Sequence, residues 1–313
     1  MKVVSLFCGA GGLDLGFTRA GHKVVWATDI DEHAIATYHH NISKHAHLGD
    51  IRDIDVGTIP DCEIVIGGFP CQGFSVANTG RTAKDSRNQL YLELLRVIRE
   101  KKPLFFLAEN VKGLLSLEKG RVFEIILNDF TALGYSVQYK VLNAANFGAP
   151  QKRERLIIVG VRKDLKYDFK FPHPTHANTD KNESMGLSPW VSIGEALAGI
   201  PEPEDAPDIP NHTYSKYKLR FNGYIGHRRI DPSQPAPTVT ARGDNKGGVV
   251  VLHHPNNHRR MSVRELATTQ TFPMDFIFKC TQSVAYRLVG NAVPPKLAEA
   301  IAACFPKKPP NVE

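Results

Sequence analysis

Short apolar runs alternate with amphipathic stretches through the first half of the chain. Residues 2–7 (Lys-Val-Val-Ser-Leu-Phe) read as a buried strand. Residues 13–20 (Leu-Asp-Leu-Gly-Phe-Thr-Arg-Ala) read as a helix that stops at Gly21, a residue suited to helix ends. The alternation continues with a strand at 23–28, a helix at 31–41, a third strand closed by Asp50 and a strand at 63–67. A helix at 88–100 carries Leu90, Leu94, Leu95, Val97 and Ile98 at helical spacing. A strand at 104–108, a helix at 119–133 and a strand at 156–160 complete the series. Nearly all-apolar strands alternating with helices predict an α/β fold, a mainly parallel sheet covered on both faces. Sites in such sheets lie beyond the carboxyl ends of the strands. Gly9, Asp29, Cys71 and Glu109 all fall just after predicted strands.

Near residue 171 the texture changes. Ten of the 21 prolines lie between Pro172 and Pro237, and regular periodicity fades. Helical patterning resumes at 262–267 and at 294–303, and the segment 306–313 is expected to fray. The expected organisation is therefore a catalytic domain over 1–170, a loop-rich domain over 171–259, and a return to the first domain over 260–313 with a C-terminal helix. No apolar run approaches the ~18–20 residues of a membrane span, and the apolar N-terminus is too short for a signal peptide. Five cysteines without paired spacing argue against a disulfide framework and for a reducing cytosol. No zinc-ligand spacing occurs, so no metal is expected.

Phe7-x-Gly9-x-Gly11-Gly12 joins a strand to a helix, where glycines let backbone N–H groups approach a ligand. Asp29 lies 18 residues past Gly11 at the end of the next strand, where a carboxylate reaches ribose hydroxyls. Asp50 is positioned to meet an adenine amino group. By itself this pattern predicts a nucleoside-containing cofactor, NAD or S-adenosylmethionine. The stretch Gly67-Gly68-Phe69-Pro70-Cys71-Gln72 presents a cysteine in a Gly- and Pro-bounded loop after a strand, a setting for a nucleophilic thiolate. Cys8, Cys62, Cys280 and Cys304 sit in or beside apolar segments and read as packing residues.

Five motifs carry a family resemblance. Phe69-Pro70-Cys71-Gln72 resembles the nucleophile loop of the DNA (cytosine-5) methyltransferases, and Phe7-Cys8-Gly9-Ala10-Gly11-Gly12 resembles their cofactor loop. Glu109-Asn110-Val111, Gln151-Lys152-Arg153-Glu154-Arg155 and Gly290-Asn291-Ala292-Val293-Pro294 resemble three further motifs, all in the family's order. The resemblance implies a Rossmann-like S-adenosylmethionine-dependent methyltransferase sheet with a smaller target-recognition domain. It implies a flipped cytosine whose carbon 6 is attacked by Cys71, a protonated Glu109 at N3, and Arg155 at O2 with Arg153 packing or bonding beside it. Asn110 braces the cysteine loop. For the cofactor it implies Phe7 stacking on adenine, the backbone of Gly9, Gly11 and Gly12 at the methionine end, Asp29 at the ribose, Asp50 and Ile51 at adenine, and Asn291 closing the pocket. Pro70 belongs to the same wall. Many relatives carry Glu at the position of Asp29 and an aromatic residue at that of Ile30, which here offers an apolar wall instead.

Charge completes the picture. The chain carries a net +7, and residues 209–260 hold nine Lys/Arg against two acids, an excess equal to that of the whole chain. Such a stripe suits phosphate neutralisation. Thr238-Val239-Thr240-Ala241-Arg242 resembles the Thr-centred core of the family's recognition region. Arg228, Arg229 and Arg242 are candidates for base contact, because Arg pairs bidentately with guanine. The expected partner is double-stranded DNA, read by a monomer in the cytoplasm of a prokaryote, in association with its nucleoid. A cognate restriction endonuclease would act on the same site without needing to bind. Three competing readings remain open at this point: a transfer-RNA cytosine-5 methyltransferase, a nicotinamide-dependent oxidoreductase and an inactive DNA binder. The second gives no joint role to Cys71, Glu109 and Arg155.

Overall fold

The computed structural model describes residues 1–70, 90–178, 186–216, 218–222, 227–241 and 251–310. A seven-stranded sheet in the order β3-β2-β1-β4-β5-β7-β6 forms its centre. The strands are β1 (Lys2–Leu6), β2 (Lys23–Asp29), β3 (Ala46–Leu48), β4 (Ile64–Gly67), β5 (Phe105–Val111), β6 (Tyr135–Asn143) and β7 (Glu154–Arg162). Strands β1 to β5 pair in parallel, whereas β7 runs antiparallel to both β5 and β6. The helices between strands are α1 (Gly12–Arg19), α2 (Glu32–Asn41), α3 (Leu90–Lys101) and α4 (Arg121–Ala132).

The period-2 alternation of the strands divides the core. Val3, Ile64, Ile66, Phe105, Leu107, Ile157 and Val159 face one side, packed with Phe17 of α1, Tyr38 of α2 and Leu297 and Ile301 of the C-terminal helix. Val4, Leu6, Val65, Phe106, Ala108, Leu156 and Ile158 face the other, against Leu94 and Ile98 of α3 and Phe123 and Phe130 of α4. Both faces being covered explains why these strands read as apolar runs.

Beyond the sheet lie the short strands β8 (His176–Ala177) and β9 (Ser188–Pro189), then α5 (Ile193–Leu197), α6 (Val263–Thr269), α7 (Gln282–Asn291) and α8 (Pro295–Ala302). A third apolar cluster joins Ile193, Ile230, Val239 and Val251 to Leu266, Phe272, Tyr286 and Val289, and includes Ala10 of the glycine loop and Ala34 of α2. The Ser262 hydroxyl and Glu265 form a capping box at the start of α6.

Strand β6, an edge strand with half-exposed polar residues, helix α7 and the short elements β8, β9 and α5 escape the periodicity reading. One placement is corrected. Glu109 and Asn110 do not follow a strand but lie inside β5, because pairing with β7 continues to Val111, opposite Arg155.

Candidate active site

Strand β1 lies between β2 and β4, so the chain leaves it in opposite directions and opens a crevice at the carboxyl ends. The glycine loop follows β1, and Phe69-Pro70 follows β4. A cavity of about 950 Å³ occupies this crevice, within the size range of ligand pockets.

The loop is bent by residues in the left-handed region: Phe7 at φ 56°, Gly9 at 53° and Gly11 at 87°. The Gly9 N–H donates to Asp29 Oδ2 at 2.8 Å, and the Asp31 N–H donates to Asp29 Oδ1 at 2.9 Å. The end of β2 thus fixes the loop. Burial pushes the Asp29 carboxyl above its ordinary range, while these bonds oppose the shift. A Cβ at Gly12 would stand 2.4 Å from the Val293 carbonyl oxygen, so the loop is pressed against the last motif. A Cβ at Gly11 would meet Ile42 Cδ1 at 2.2 Å; this glycine supports the loop from behind and is not part of the cavity wall.

Phe7, Gly9, Gly12, Asp29, Ile30, Asp50, Ile51, Pro70 and Asn291 all line the cavity. Ile30 is 68% exposed, an apolar side chain left open at the cavity rim. Asp50 differs from the expectation of a free acceptor: its carboxylate caps Arg52 N and forms a two-pronged pair with the Arg52 guanidinium, which holds its pKa below the usual range. One wall residue went unnoticed in the sequence. Asp14 is fully buried in the first turn of α1, accepts from Ser5 Oγ and Tyr38 Oη at 2.9 Å each, and is pushed up to about 6 by burial. Its signal was an acid between Leu13 and Leu15 on a helix face otherwise apolar.

On the other side, Asn110 Nδ2 donates to the Phe69 carbonyl at 3.0 Å, tying β5 to the segment just before Cys71 in the sequence. Glu109 and Arg155 meet in the cavity wall, with Arg155 Nε 2.8 Å from Glu109 Oε1. Burial pushes the Glu109 carboxyl up, and Arg155 and Arg153 pull it back without cancelling the shift. Arg153 does not share that pairing. Its fully buried guanidinium donates to the carbonyls of Val239 at 2.7 Å, Gly290 at 2.8 Å and Ala292 at 2.9 Å.

Cys71 and Arg242 lie outside the described residues. Among the described cysteines, burial raises Cys8 well above the usual thiol range, Cys62 to about 12 and Cys280 to about 11, and also raises Cys304. Buried, protonated thiols are poor nucleophiles.

Thr238 and Thr240 line the cavity, and Thr238 Oγ1 donates to the Lys152 carbonyl at 2.7 Å. Arg228 and Arg229 are exposed away from it, and the Arg229 guanidinium sits 4.5 Å from the centre of the Phe221 ring. The basic stripe is smaller than its residue count. Arg259 is buried on Glu265 at 2.7 and 2.8 Å and on Glu202, and Arg260 is buried on the Val251 carbonyl at 2.6 Å. These two arginines hold the module together from within. Among the described residues no cluster of His, Cys, Asp or Glu could hold a metal, and no helix is long and apolar enough to cross a membrane.

Similarity to known proteins agrees with this geometry. The chain is 41% identical to the type II methyltransferase M.NgoFVII of Neisseria gonorrhoeae over 335 residues, covering 97% of this chain and 87% of that one. It is 38% identical to the type II methyltransferase M.MthTI of Methanothermobacter thermautotrophicus, covering 96% of each. The solved Dnmt2 methyltransferase of S. pombe superposes with a TM-score of 0.66 over 97% of each chain, at 20% identity, and so shares the fold. The family model of C-5 cytosine-specific DNA methylases matches residues 1–306. With its glycine loop, Phe69-Pro70 segment and Glu109–Arg155 pair gathered around one crevice, the chain belongs to the C-5 cytosine-specific DNA methylase family.

Proposed function

We propose that the protein methylates carbon 5 of a cytosine flipped out of double-stranded DNA, using S-adenosylmethionine and a covalent adduct through Cys71. The observation that carries this reading is the buried Glu109–Arg155 pair in the wall of the cavity that also holds Pro70. Residues 1–170 and 260–313 would supply chemistry, and 171–259 recognition. The monomeric state and a partner nuclease acting on the same DNA belong to this proposal.

The cofactor fits the residues present. The glycine loop offers backbone at the cavity floor, Asp29 an acceptor at its edge and Ile30 an apolar wall. S-adenosylmethionine, when bound there, supplies the methyl group. Asp50 would meet the adenine through whatever acceptor capacity Arg52 leaves. In the reaction, the Cys71 sulfur bonds to carbon 6 of the base, which raises electron density at carbon 5. Glu109, whose carboxyl burial biases towards the protonated form, would donate to N3, and Arg155 would offset the charge that develops at O2. After methylation, loss of the carbon-5 proton expels Cys71 and restores the ring. Arg153, occupied by backbone carbonyls, positions these groups rather than contacting the base.

Tritiated methyl transfer from S-adenosylmethionine to unmethylated phage DNA, compared with bulk transfer RNA, tests the reading. Label is expected in DNA as 5-methylcytosine; label confined to RNA contradicts it. Gly68→Ala supplies a local test, because its Cβ would stand 2.9 Å from Glu109 Oε2. Displacing that carboxyl is expected to slow methyl transfer roughly 10- to 100-fold. An unchanged rate would show that Glu109 tolerates the shift.

DNA affinity is expected to fall steeply with salt, and Arg228→Ala or Arg229→Ala to reduce the slope of log affinity against log salt by about one each if they meet phosphate. Arg259→Met is expected to leave the slope unchanged and to lower thermal stability instead, since it strands the buried Glu265. Filter binding over a salt series, with thermal melting of each variant, checks both.

A further inference from the structure

Three segments distant in sequence meet at the cavity wall: residues 150–153 leading into β7, residues 236–241, and residues 289–292 at the end of α7. Their backbones approach closely, since a Cβ at Gly290 would stand 2.4 Å from the Thr240 carbonyl carbon. Two buried amide side chains link them in series. Gln151 Oε1 accepts from the Val239 N–H at 2.8 Å, and Gln151 Nε2 donates to Gln270 Oε1 at 2.8 Å. Gln270 Nε2 then donates to the carbonyls of Val289 at 2.6 Å and Ala292 at 3.2 Å. Both side chains are fully buried and neither lines the cavity.

The direction of this relay is fixed at both ends. An N–H at Val239 needs an oxygen, and a carbonyl at Val289 needs a donor, so each amide has one orientation that satisfies it. Turning either amide leaves two buried groups unpaired. Arg153 closes the ring, joining Val239 O to Gly290 O and Ala292 O. Two residues further along the chain is Arg155, paired with Glu109. The ring therefore joins the Thr238–Thr240 segment, the pocket-closing segment of Asn291 and the catalytic strand.

We propose that Gln151 and Gln270 are positioning residues that couple docking of the recognition segment to the placement of Arg155 and Asn291. The proposal rests on the methyltransferase reading above. The relay acts on the rate of the chemical step, not on DNA affinity, because the Gln151 and Gln270 side chains line neither the cavity nor the surface that carries the exposed arginines.

The test compares the intact protein with Gln151→Leu, Gln270→Leu and the double variant. Single-turnover incorporation of tritiated methyl groups into unmethylated phage DNA is measured beside filter binding of that DNA and thermal melting. Each single variant is expected to slow incorporation at least tenfold while DNA affinity changes less than threefold. The double variant is expected to be no slower than the slower single one, since both sever one relay. Rates that fall only as far as the folded fraction, a loss borne by DNA affinity, or two independent additive losses would overturn the proposal. Should the leucine variants fail to fold, Gln270→Glu keeps size and the acceptor for Gln151 but loses the donor to Val289, and the same tenfold loss is expected of its folded fraction. A wild-type protein that labels no DNA refutes the methyltransferase reading; an active wild type with active variants refutes the relay alone.

Discussion

Replacing Cys71 by serine is expected to reduce methyl transfer at least about 10³-fold, as loss of a covalent nucleophile does elsewhere. A serine hydroxyl keeps its proton at neutral pH, where a thiol loses it far more readily, and an alcohol adds poorly to carbon 6. Burial raises the thiols of the four described cysteines, which makes them poor substitutes. Cys8 borders the cavity but is buried, and Asp14 and Asp29 raise its thiol further. DNA affinity is expected to stay within about threefold, because phosphate contacts dominate binding. Turnover by Cys71→Ser near the wild-type rate would remove the nucleophile from the mechanism.

Glu109→Gln is expected to lower the rate by about 10²–10⁴-fold, the usual range for a general acid. The amide keeps the shape but has no acidic proton for N3, and it takes from Arg155 its buried carboxyl partner. The pH profile carries a sharper signature. Burial raises the Glu109 pKa, so the proton is retained to higher pH than in an exposed carboxyl and is lost as pH climbs through the raised value. Activity that depends on the protonated acid is therefore full below that value and falls above it. Glu109→Gln should lack this alkaline limb. Rates of both proteins across a pH series check the sign, and an unchanged profile in the variant would assign the limb to another group.

Much of the fold was legible because the buried parallel strands leave apolar runs and the glycine loop leaves a strand–turn–helix pattern. Edge strand β6 was lost because one neighbour and an open face blur its alternation. The candidate site was legible where backbone geometry demands a residue type, as at Gly9, Gly12 and Pro70. It was not legible where a residue type serves two ends. Arg259 and Arg260 counted as surface charge, yet acids and a carbonyl distant or local in sequence take them into the interior. Arg153 and Arg155 share a motif, yet one reaches three backbone carbonyls and the other a carboxylate. Gln151 and Gln270 carry no charge and no periodicity, and only tertiary pairing reveals them.

Methyl transfer by this route requires a covalent bond between Cys71 and carbon 6 of a cytosine in DNA. With 5-fluorocytosine in the duplex, the fluorine cannot leave as the carbon-5 proton does, so Cys71 is not expelled. Incubating the protein with S-adenosylmethionine and fluorocytosine-substituted DNA, then digesting and weighing the peptides, reads this directly. A nucleotide-bearing peptide containing Cys71 is expected. A preparation that methylates ordinary DNA but yields no such adduct, or yields it on another residue, would contradict this route.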